Sequence, residues 1–137
     1  MNTFLEQAYL STTYEVYNQE EIYQLRIKKE NELFLSFCER EGIKTWAIIT
    51  AYNPYSKECS LEMNQANNEQ LKQTLIDTKC IFFEANGVPD NSSWEAEKSY
   101  FVCNLSLESG KEIGRQYQQN AIVYGGENRA PQLVWLV

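Results

Sequence analysis

The 137-residue chain contains no histidine. That removes the side chain that most often acts as a general base near neutral pH, and the commonest nitrogen ligand for zinc. The four cysteines, Cys38, Cys59, Cys80 and Cys103, stand about twenty residues apart. No Cys-x-x-Cys pair exists for a zinc site or redox motif, and the pattern reads as reduced thiols in a cytoplasm. The first residues offer neither the basic start nor the apolar run of an export signal. No stretch approaches the ~18 apolar residues of a membrane span. The expectation is a cytoplasmic chain with no metal, no cofactor and no membrane partner.

Positive charge is also scarce. Twelve Lys and Arg stand against nineteen Asp and Glu, a net charge of -7, and the basic residues are scattered apart from Arg26, Lys28 and Lys29. A phosphate backbone would be repelled, so no nucleic acid partner is expected. The acidic residues are equally dispersed. With no dense face to mimic DNA, the charge reads as solubility.

What is present is aromatic and apolar. Apolar residues make up 43% and aromatics 13%, with nine Tyr, enough for a packed core whose rim carries hydroxyl groups. At this length roughly two thirds of the unfolded surface can be buried without disulfide or metal. One globular domain over residues 1–137 is expected, an N-terminal helix within 1–13 preceding the rest.

The chain is organised around Trp46 to Ser56. Ala47, Ile48, Ile49 and Ala51 are apolar without alternation, the pattern of a strand covered on both faces. Pro54 has no N–H for a sheet ladder and restricts Asn53, so the strand ends there. Asn53 is placed to close an Asx-turn. Ser60 then caps a helix marked by Leu61, Met63, Leu71, Leu75 and Ile76, whose amide-rich middle, 64–70, reads as solvent face or part of a site.

Around this centre, Thr3 caps a short lid helix with Phe4, Leu5, Ala8 and Tyr9 as its stripe. Tyr14–Tyr17 and Ile22–Ile27 form a hairpin. Leu33, Phe34, Phe37 and Cys38 mark a core-facing helix closed by Gly42. Cys80–Phe83 and Tyr100–Leu105 are strands flanking a loop at 87–93, and Ser106 or Ser109 caps a helix buried through Ile113 and Tyr117. Ala121–Tyr124 and Leu133–Val137 form a closing hairpin turned by Gly125–Pro131. Helices interrupting hairpins imply an α+β fold: one mixed, mostly antiparallel sheet of six or seven strands with three or four helices.

The order Thr50-Ala-Tyr-Asn-Pro-Tyr-Ser56, Asn64, Trp94 with Glu97 and Ser99, Tyr117-Gln-Gln-Asn-Ala-Ile-Val123 and Pro131-x-Leu-Val134 resembles an uncharacterised bacterial family, domain of unknown function 3293. The resemblance covers about residues 14–137. It implies a shared fold and site without naming a ligand. This chain has Tyr52 where the family commonly has Trp, and Glu95 where it commonly has Pro, and each change can alter a pocket wall.

Three groups of residues can carry chemistry, and each has a plain structural alternative. Thr50, Tyr52, Asn53, Tyr55, Ser56 and Asn64 gather at a strand end and helix start, where backbone donors converge on ligands; Asn53 and Ser56 can equally do no more than satisfy the turn. Trp94, Glu95, Glu97 and Ser99 could bind a cation or form an acid and base pair, or be a solvated edge that guards against aggregation, with Glu97 the stronger candidate. Gln119 could present an amide to a ligand, and Asn120 is a candidate left-handed helix end. Without a His as base, Cys59 is not read as a nucleophile. The leading expectation is a non-catalytic binding or regulatory module for a small polar ligand at the Asn53–Pro54 corner, with Trp94, Glu97, Gln119 and Asn120 as walls. The alternatives are an acidic protein that binds or inhibits a protein partner through exposed Tyr residues, and a carboxylate enzyme working without His.

Overall fold

Alternate burial along β1 (Thr12–Asn18) and β2 (Glu21–Leu25) sends Tyr14, Val16, Tyr23 and Leu25 to one side of a hairpin. That side becomes the inside of the fold. The computed structural model describes residues 3–19, 21–91, 95–126 and 129–137. It adds β3 (Thr45–Ile49), β4 (Phe82–Pro89), β5 (Glu97–Cys103), β6 (Ala121–Gly126) and β7 (Gln132–Trp135) in one sheet of order β2-β1-β4-β5-β3-β6-β7. Every pairing between these strands is antiparallel. With the helices α1 (Thr3–Leu10), α2 (Glu32–Glu41), α3 (Leu61–Asp77) and α4 (Leu107–Gln116), the fold is α+β.

The sheet curls. The Lys28 N–H beyond β2 donates to the Pro131 carbonyl before β7 at 2.7 Å, so the two outer edges meet at one end. Residues of both edges, Leu25 and Leu133, accordingly pack into a single inner cluster. Helix α2 fills this concavity. Its Asn31 cap accepts from the Phe34 N–H and Gly42 closes it at φ 67°, while Phe34 and Phe37 meet the rings of Tyr23, Trp46, Phe83 and Phe101. On the outer face, Leu71 and Leu75 of α3 pack over Ile49, Tyr100 and Val102, with Ile113 of α4 beside Ile122. Strand β3 lies between β5 and β6 and is covered on both faces, as its continuous apolar run requires.

Several local expectations are corrected. Gly87 to Pro89 continue β4 rather than opening a loop, because β1 supplies ladder partners as far as Pro89. Gly125 and Gly126 belong to β6, not to the turn. The Trp46 indole lies across Gly125 so closely that a Cβ there would overlap the ring. Helix α4 is capped by Ser106, whose hydroxyl accepts from the Ser109 N–H. Its Gly114 lets it approach the sheet, since a Cβ would stand 2.5 Å from Leu136 Cδ1. Leu33, on the expected α2 stripe, is 77% exposed.

Helix α3 departs furthest from its expected face. Leu61, Met63 and Ile76 are exposed, whereas Asn64 and Asn68 are buried. The cause lies at the end of β3, where backbone N–H groups leave the ladder and need acceptors. Asn68 Oδ1 accepts from the Ala51 N–H at 3.0 Å and Asn64 Oδ1 from the Asn53 N–H at 2.8 Å. Spaced i, i+4, the two amides share one helix face.

Candidate functional site

Past β3 the chain must turn sharply, and three residues that are not glycine adopt left-handed backbone there: Asn53 (φ 46°), Tyr55 (φ 55°) and Ser56 (φ 60°). Each costs of order 1 kcal/mol or more, so the surroundings must hold them in place. Asn53 is the hub. Its side-chain oxygen accepts from the Cys59 N–H at 3.0 Å and from Asn64 Nδ2 at 2.9 Å, and its amide donates to Glu97 Oε2 at 2.8 Å. The expected Asx-turn is therefore replaced by a longer bond, to Cys59, that closes the whole corner.

The other predicted residues converge here. The Thr50 hydroxyl donates to the Lys98 carbonyl at 2.6 Å and accepts from the Tyr52 N–H at 3.1 Å. Gln119 donates to the Tyr52 carbonyl at 3.1 Å, and Asn120 donates to the Ser56 hydroxyl at 2.8 Å. The Tyr55 N–H donates to the Gln118 carbonyl, and it is Gln118, not Asn120, that takes the left-handed conformation after α4. Ser99 is buried, Glu95 is exposed, and Trp94 lies outside the described residues.

Glu97 joins this network through Asn53. The pairing of β1, β4 and β5 puts Tyr14, Gly87 and Glu97 in one cross-strand row, and residues in register point to the same face. That face is the inside of the curl, because Tyr14 belongs to the inner cluster. Gly87 contributes no side chain between its neighbours; a Cβ there would touch the Tyr14 ring at 3.4 Å. From above, α1 brings Tyr9, whose ring meets Trp135 edge-on at 5.8 Å and whose hydroxyl interacts with Ser56. Tyr52 is buried beside the same carboxylate.

The electrostatics follow from this packing. Burial raises the pKa of Glu97, and the Asn53 amide offsets part of that rise. Burial also raises Tyr9, Tyr14 and Tyr52, and the Glu97 charge pushes each of the three further in the same direction. All three phenols thus stand within electrostatic reach of the carboxylate.

Sequence reasoning missed Tyr9, Tyr14, Asn68 and Gly87. The i, i+4 amides of α3 were the available signal for Asn68. The row joining Tyr14 to Glu97 depends on strand register, which a sequence without alternating pattern at 87–97 does not specify.

Two grooves, of about 290 and 320 Å³, lie at the other end of β3, one against Cys38, Lys44 and Trp46 and the other against Leu107, Tyr124 and Arg129. Neither is lined by Asn53 or Glu97. The corner is taken as the candidate site because the predicted side chains are hydrogen-bonded together there. Among the described residues no group of three or more Cys, Asp or Glu side chains could hold a metal ion, and no helix is long and apolar enough to cross a membrane.

No curated protein and no solved structure matches the chain. Residues 49–122, more than half of the sequence, match the family described as Protein of unknown function (DUF3293). The matched stretch contains the Asn53 corner, Glu97, Gln119 and Asn120, whereas Tyr9 and Tyr14 come from outside it. The chain belongs to that family.

Proposed function

We propose that this protein is a non-catalytic binding module for a small polar ligand, with its site at the Asn53–Pro54 corner under α1. The observation that carries the reading is the Asn53–Glu97 pair: a half-buried carboxylate with an amide aimed at it at 2.8 Å. Sinking a carboxylate costs free energy that a neutral side chain would avoid, and such groups collect at functional sites. The strained backbone at Asn53, Tyr55 and Ser56 points the same way. Four free cysteines support a cytoplasmic setting. Neither nucleic acid nor membrane is proposed as a partner.

The test is native mass spectrometry of the protein purified gently from its own host. A discrete small-mass adduct that is lost in Glu97→Gln supports the reading. Protein that is bare in the wild type, across growth conditions, overturns it.

A second reading, an interaction protein that binds or inhibits another protein, is favoured by exposed apolar side chains such as Phe4 at 75% and Leu33 at 77%. The Tyr residues expected as its anchors fit less well. Of the corner tyrosines, Tyr52 is buried and Tyr55 is half exposed. A stoichiometric protein complex in the same mass spectra, lost in Leu33→Ser, would establish this reading in place of the first.

A further inference from the structure

We infer that the groove of about 320 Å³ between the first turn of α4 and the ends of β3, β6 and β7 is a binding site for a small organic acid, whose carboxylate sits on Arg129 and whose apolar body lies against Leu107, Tyr124 and Val134. The groove is at the other end of β3 from the Asn53 corner, and the inference does not rest on the reading of that corner.

The register of the sheet builds the groove on the outer face. Trp46 belongs to the inner cluster, so Thr45 before it points outward, and Gly126, its partner in the β3–β6 ladder, shares that face. Tyr124 and Val134 pack with the outer cluster, and Gln132 stands opposite Tyr124 in the β6–β7 ladder. Leu107, the first residue of α4, forms the facing wall.

The floor is a glycine that the fold itself does not require. Gly125 is kept bare by the Trp46 indole and Gly114 by Leu136, but a Cβ added at Gly126 meets nothing nearer than 3.9 Å. Its backbone is not left-handed either; among the glycines that conformation belongs to Gly42. A glycine in a strand can mark a place where another group approaches the backbone closely. At Gly126 the space left over the backbone is the groove.

The polar groups select the charge of the ligand. The Thr45 and Tyr124 hydroxyls both donate to the Leu105 carbonyl, at 2.9 and 2.8 Å. Among the lining side chains, donation to a ligand is left to Arg129 and the Gln132 amide. The Arg129 N–H donates to the Gly126 carbonyl at 3.2 Å, which brings the chain back over the floor. No Asp or Glu is among the described lining residues. A guanidinium meets a carboxylate through two parallel bonds, whereas a cation would be repelled. The other walls are apolar, and the volume is at the lower end of the range that holds small ligands, so the acid carries a single ring or a short chain.

The probes are two pairs of matched shape: benzoate against benzamide, and hexanoate against hexanamide. Each is titrated at pH 7 into the whole ¹⁵N-labelled chain, following the Gly126 backbone amide and the Gln132 side-chain amide. The expected result is saturable shifts of both reporters with either acid, at an apparent affinity at least about fivefold above that of its amide, while the Asn53 side-chain amide stays unmoved. Arg129→Gln abolishes the preference, and Gly126→Val, which fills the floor, abolishes the binding. Arg129 is exposed, so its replacement keeps the fold even if the valine variant does not. Amides that bind as tightly as the acids overturn the inference. So do an absence of shifts with all four probes, shifts that centre on Asn53 instead, and an acid preference that survives in Arg129→Gln.

Discussion

Asn53 and Glu97 are forty-four positions apart and joined by one hydrogen bond of 2.8 Å, so the turn after β3 and the start of β5 are held together by a neutral amide facing a half-buried carboxylate. The same Asn53 side chain also accepts from Cys59 and Asn64. Asn53→Ala removes all three bonds and leaves at φ 46° a residue that tolerates left-handed backbone less well than Asn. The expected cost is about 2–3 kcal/mol in urea unfolding. Asn53→Gly loses the same bonds but relaxes the left-handed strain, and should be less destabilised by about 1 kcal/mol. Equal losses for the two variants would refute the backbone component.

Glu97 makes stability depend on pH in a direction opposite to that of most carboxylates. Its pKa is raised in the folded state, above the ordinary 4.5, by burial. The folded protein therefore holds a proton that the unfolded chain has released, and stability declines as pH rises from about 4.5 through the folded value. Glu97→Gln cannot titrate and keeps an oxygen for the Asn53 amide. It should melt a few degrees above wild type at pH 7, with the gap closing below pH 4.5. A gap that is constant from pH 4 to pH 8 would contradict the burial of this carboxylate.

The two faces of α3 should respond in reverse of their polarity. Asn68→Leu leaves the buried Ala51 N–H without its acceptor and should cost about 2 kcal/mol, although it adds an apolar group. Met63→Ser, on the exposed face, should fall within about 0.5 kcal/mol of wild type. Chemical denaturation of both variants tests the assignment of faces.

The adjacent glycines of β6 should differ sharply. Gly125→Ala drives a Cβ into the Trp46 indole and should cost about 3 kcal/mol or more, with loss of the native Trp fluorescence maximum. At Gly126 the nearest atom to an added Cβ is 3.9 Å away, so Ala there should cost less than about 1 kcal/mol.

Patterns of short range were legible in the sequence. The hairpin of β1 and β2, the Gly42 cap, the abrupt end of β3 and the Ser60 cap depend on neighbours a few residues apart, and each is where the pattern places it. What escaped depends on partners far along the chain. The amides of α3 read as solvent face or as site alike until β3 is seen to end against Asn64 and Asn68, and Gly125 looks like a turn until Trp46 lies across it. The corner was legible as a place, because Asn53-Pro54 must stop a strand. Its contents were not: Tyr9 and Tyr14 reach Glu97 only through the packing of α1 and the register of β1 on β4.

The Lys28 to Pro131 bond gives the chain an order of assembly. During synthesis β1 and β2 emerge early, yet the partner that ties their outer edge to the far side of the sheet is made only after β6. A ribosome paused before residue 131 holds a sheet open at that seam, with the Lys28 N–H free to pair with another chain. Closure of the seam, rather than formation of any one hairpin, is then the step that ends the nascent protein's exposure to its neighbours.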